Sequence, residues 1–67
     1  MDTNRVLSYL AKEIEQLRTD QVVFIVSGRA NDFAEYRHVC GVIRGLTHAE
    51  TIVKDLVQKL EKDDERI

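Results

Sequence analysis

The sequence predicts an all-α fold: a two-helix antiparallel hairpin with a longer second helix, built to oligomerise. Three observations predict it. The chain has no proline, only three glycines, and charges on 33% of its residues, a composition that favours helix over a turn-rich β fold. Apolar residues recur at helical spacing over two long stretches. Between those stretches lies a single concentrated breaker, "SGRAND", residues 27–32. With 67 residues the chain forms one domain at most. A core of that size is marginal, and small chains usually gain support from disulfides, a metal or oligomerisation. Cys40 is the only cysteine, so no disulfide closes within one chain. There is no CxxC and no HExxH, and neither His38 nor His48 has cysteines at zinc-finger spacing. No metal or cofactor is expected. Oligomerisation, or docking on something larger, is left as the support.

Helix 1 is expected over about residues 3–26. Its stripe is Leu7, Leu10, Ile14, Leu17, Gln21 and Phe24, alternating steps of three and four as in a coiled-coil seam. Lys12, Glu13, Glu15 and Arg18 fill the other faces. Thr3 or Asn4 can cap the start. The segment "VVFIV", residues 22–26, has the composition of a buried strand, yet the helical stripe runs into it with no turn signal. Branched residues lower helix propensity by only tenths of a kcal/mol each, so the segment is assigned to helix 1 with a strand as the alternative.

The turn is expected at 27–31. Gly28 suits the left-handed residue after a helix. Asn31 or Asp32 suits the next N-cap, and Asp32 followed by Glu35 resembles a capping box. Helix 2 then follows over about 32–62, with the stripe Tyr36, Val39, Cys40, Ile43, Leu46, Val53, Leu56, Val57 and Leu60, widened by Phe33 and Ile52. The charged tail "EKDDERI" is expected to fray. At helical rise the two arms would be roughly 36 and 46 Å long. Helix 2 should therefore outrun helix 1 and leave Leu56, Val57 and Leu60 uncovered unless another chain covers them. Covering each would contribute about 1.5–3 kcal/mol.

Gly41 and Gly45 lie four apart inside helix 2, with Ala34 and Ala49 extending the small-residue side. Each glycine costs about 1 kcal/mol there relative to alanine. Such a ridge admits a tight crossing of helix 1, a contact with another subunit or larger partner, or a kink that serves a moving part. The expected partner-contact residues are Gly41, Gly45, Ala49, Val53, Leu56 and Leu60. Arg37 and Arg44 share a face with Gly41 and His48. They can hold a phosphate or a partner's carboxylates, or form local ion pairs with Glu35 or Asp32. Gln21 either sets register from within the seam or lies at its edge. Cys40 in an apolar stripe reads as a small hydrophobe. His38, two residues away, points elsewhere, and a two-helix chain has little room for a pocket, so no enzymatic activity is expected.

A net charge of −2, without a basic stripe or aromatic stacking platform, argues against nucleic acid as the partner. No 18-residue apolar run suggests a membrane span, and charges interrupt the N-terminal stretch where a signal peptide would need an apolar core. An intracellular setting is the expectation.

Asp32, Phe33, Tyr36, Arg37, Val39, Cys40, Gly41, Ile43, Gly45 and Leu46 form a helix of the pattern D-[FY]-x-x-Y-[RK]-x-[LVI]-C-G-x-I-x-G-L. Together with "AETIVKDLVQKLEKDDE" this resembles small open reading frames of tailed bacteriophages, especially marine ones. The likeness covers the second half of the chain, and the first half only in character. It implies a phage origin and a place in the host cytoplasm during infection, with the virion as a further location. It also implies a non-enzymatic structural or assembly subunit, packing in a ring or on portal, tail or capsid machinery. The alternatives are a small inhibitor that docks on a host protein and a nucleic-acid-associated factor using Arg37 and Arg44. The partner would be a second copy or a larger phage assembly.

Overall fold

The computed structural model describes residues 2–65, with side chains through Lys62. Two helices, α1 (Thr3–Val26) and α2 (Phe33–Glu65), pack along each other as a hairpin measuring 54 × 17 × 14 Å. The "VVFIV" segment is helical throughout. α2 continues past the expected end at 62, so the charged tail is helical as far as Glu65, and residues 66–67 lie outside the described part. The cap of α1 is Asp2 instead of Thr3 or Asn4. Its carboxylate accepts the Asn4 N–H at 3.1 Å, which makes Thr3 the first helical residue.

The connection satisfies its own backbone. Gly28 sits at φ 76, the left-handed conformation that lets α1 stop. The Gly28 N–H donates to Ile25 O at 3.1 Å and the Arg29 N–H to Phe24 O at 3.4 Å, the paired bonds of a Schellman ending. The Ser27 hydroxyl adds a bond to Phe24 O at 2.9 Å. Asp32 then caps α2 by accepting the Glu35 N–H at 2.8 Å, as a capping box requires. The reciprocal bond is displaced by one residue: Glu35 accepts from the N–H of Asn31, at 3.0 Å.

The helices meet along a seam that differs from the expected stripe. Both run through Leu7, Ile14 and Gln21. Between these residues the structure turns in Ala11, 7% exposed, and Arg18, while Leu10 and Leu17 stay 45% and 53% exposed. The reason is on α2. Glu50, 7% exposed, lies in the middle of its inner face and draws Arg18 inward. The small side chain of Ala11 allows close approach on the side where Val57 lies. On α2 the inner row is Val39, Leu46, Glu50, Val53, Val57 and Leu60, whereas Tyr36 and Leu56 are exposed.

The expected overhang is also corrected. Asn4 Nδ2 donates to Glu61 Oε1 at 3.4 Å, so Leu56, Val57 and Leu60 lie alongside α1. Part of the extra length of α2 is taken up at the turn end, where Phe33 is 71% exposed and stacks on Tyr36, ring centroids 6.2 Å apart.

An added Cβ at Gly28 meets nothing within 4 Å, so only backbone strain opposes a side chain there. Gly28→Ala should lower stability by about 1–2 kcal/mol. Urea denaturation at fixed protein concentration checks this, and an unchanged midpoint would show that the turn does not depend on a left-handed residue.

Candidate functional site

The hairpin has two unlike faces. The residue after each seam position is mostly polar: Ser8, Lys12, Glu15 and Thr19 on α1, and Thr47, Thr51, Lys54, Gln58 and Glu61 on α2. One groove is lined by Ser8, Lys12 and Glu15 together with Lys54, Gln58 and Glu61, which places these two rows on one side. The residue before each seam position is mostly apolar. On α1 these are Val6, Leu10, Leu17 and Phe24; on α2 they are Gly45, Ala49, Ile52 and Leu56. Helices running in opposite directions are related by an approximate two-fold axis normal to their common plane. That rotation keeps each flank on its own side, so the two apolar rows share the opposite face. Val6, Leu10, Leu17 and Leu56 are exposed there, and exposed Ile52 lies at its margin, where it also lines the outer groove of α2 with His48 and Thr51. Among the described residues only Ala11 and Val39 form a buried apolar core, and no side chain is wholly buried.

The expected contact residues divide between locations. Val53 and Leu60 are half-buried in the inner row, where they serve the hairpin itself. Ala49 and Leu56 lie on the apolar face, half-buried and exposed respectively, with exposed Gly45 beside them. Gly41 is exposed further round, on the outer side of α2. A Cβ added at Gly41 or Gly45 meets nothing within 4 Å, so the glycines do not serve a tight crossing of α1. Arg37 and Arg44 are exposed on the outer side of α2. The expected local ion pairs do not form: Asp32 and Glu35 are engaged in capping, and neither arginine has an acidic side chain within 4.0 Å among the described residues. Gln21 is half-buried beside Phe24, Glu35 and Val39. Cys40 is a free, half-buried thiol. A hydrogen bond to Cys40, and the charge of its thiolate, hold the Tyr36 phenol above its ordinary value. No group of three His, Cys, Asp or Glu side chains able to hold a metal ion occurs among the described residues, and no described helix is long and apolar enough to cross a membrane.

A charged cluster inside the seam escaped the reading of the sequence. Glu50 Oε1 lies 3.5 Å from Arg18 Nη2 and its Oε2 lies 3.6 Å from Lys54 Nζ. These are ion pairs too long to count as good hydrogen bonds. Arg18 Nε and Glu50 Oε2 are buried without a hydrogen-bond partner. Removing one member of such a pair costs more than replacing both with apolar groups. Arg18→Met should therefore destabilise by about 1–3 kcal/mol. Arg18→Met with Glu50→Leu should recover most of that loss in denaturant titrations. A double variant no more stable than Arg18→Met would refute this account of the seam.

Compared with protein-family models, with curated proteins and with solved structures, the chain matches none.

Proposed function

We propose that the protein is a non-enzymatic helical subunit that works by packing its open apolar face against another chain. The carrying observation is the row Val6, Leu10, Leu17, Ile52 and Leu56, exposed along one side of a hairpin with almost no core of its own. Contiguous apolar surface on a small domain marks an interaction site more often than chance exposure. The phage-like pattern of Asp32–Leu46 supports a setting in the structural or assembly machinery of a tailed phage, reached through the host cytoplasm. Of the contact residues expected from the sequence, Gly45, Ala49 and Leu56 belong to this face, with Gly41 at its margin.

Arg37 and Arg44 favour a second reading. Both are exposed and lack acidic neighbours among the described residues, so they suit an acidic surface on a host protein. Nucleic acid is a weaker fit, since two arginines make a thin phosphate footprint.

Mass spectrometry of purified particles separates the readings. The chain is expected there at a reproducible copy number. Leu10→Glu with Leu17→Glu should abolish incorporation while circular dichroism still shows a helical chain. Absence of the wild-type chain from particles would overturn the virion role. Incorporation unchanged by the double substitution would overturn the role of the face.

A further inference from the structure

The apolar face has a pattern that selects among occupants. The chain exposes 5543 Å². A compact folded monomer of 7.7 kDa would expose about 4,300 Å². The excess is about 1,200 Å², and a standard interface removes about 800 Å² from each partner. That excess belongs to the whole 54 × 17 × 14 Å rod, and it is larger than the share one chain buries in a standard dimer.

The two rows of the face are also complementary to each other. α1 contributes large side chains, Leu10, Leu17 and Phe24, while the middle of α2 contributes Gly45 and Ala49. The charged or titratable members of the face divide in the same way. They are Glu13 and Asp20 on α1, against His38 and Lys59 on α2; the one acid on the α2 side, Glu35, lies in the groove with Asp20 and His38, its carboxylate held by the Asn31 N–H. A surface whose halves complement one another fits its own copy under two-fold symmetry.

We infer that the occupant is a second copy of this chain, related by a two-fold axis parallel to the helices, so that α1 of each copy packs on α2 of the other in a four-helix bundle. The inference rests on the reading that this face docks on another chain. An axis along the helices preserves the register found within one chain, where Asn4 meets Glu61 and Arg18 meets Glu50. In that register Leu17 of one copy falls over Gly45 and Ala49 of the other, where a side chain has room. Leu10 falls over Ile52 and Leu56. The alternative axis, across the helices, would set α1 antiparallel on α1 and put the row that carries Glu13 and Asp20 against the same acidic row of the other copy. It would also place leucine rows together and leave the glycine facing small residues.

Sedimentation of the full chain at micromolar concentration tests the copy number. A reversible dimer is expected. Leu17→Glu should weaken it at least about tenfold, whereas Gln58→Glu on the polar face should leave it unchanged. Cross-linking tests the pairing, in a Cys40→Ser background. A Leu17→Cys chain mixed with a mass-tagged Ala49→Cys chain should give the mixed disulfide, and Leu17→Cys alone should give none. Efficient self-linking of Leu17→Cys would overturn the α1-on-α2 arrangement. A wild-type chain that stays monomeric throughout would overturn the second copy as occupant. The wider docking reading would then still be decided by incorporation into particles, where failure of the apolar-face variants is read independently.

Discussion

Two helices touch along one line. Each can hide only a narrow stripe against the other, and any apolar surface wider than that stripe must face water or a third element. In this protein the apolar surface is wider on both helices. The seam takes Leu7, Ile14, Val39, Val53 and Val57 and leaves Leu10 and Leu17 of α1 and Ile52 of α2 outside. The unequal faces of the hairpin and the near absence of a core both follow from that single restriction.

The choice of stripe is not the one that hides most hydrocarbon. A hairpin rotated to cover Leu10 and Leu17 would bury more apolar area, but Glu50 and Arg18 would then lose each other. Instead the pair lies across the seam, with Lys54 on the second carboxylate oxygen. Ion pairs of this kind add little stability after desolvation, and a slipped register would leave a charge buried alone. The seam thus trades hydrophobic burial for an unambiguous alignment, and the displaced leucines become available for other contacts.

The helices, their turn and the left-handed Gly28 were legible because they are written locally, in spacing, breakers and caps. Asp32 and Glu35 advertise a capping box from three residues apart, and the structure forms it with one bond displaced. The rotation of the seam was not legible. Leu7, Ile14 and Gln21 belong equally to two heptad registers, and a reading that ranks positions by hydrophobicity selects Leu10 and Leu17 over Ala11 and Arg18. The deciding partner, Glu50, is 32 residues from Arg18 in the sequence, and nothing local couples them. The same holds for the glycines. Their spacing marks a ridge, but only the rotation of α2 places Gly45 on the apolar face and Gly41 at its margin.

Every hydrogen bond at the connection joins residues no more than five apart: Arg29 to Phe24, Gly28 to Ile25, Ser27 to Phe24, Glu35 to Asp32 and Asn31 to Glu35. The bend therefore needs no contact between the arms in order to form. A corner that closes by itself keeps the loop-closure entropy small and aligns the adjoining helical turns before any distant pair has met. Chains dominated by such short-range contacts fold on the microsecond-to-millisecond scale. Contacts between the arms then grow in sequence separation from the bend out to the pair Asn4 and Glu61.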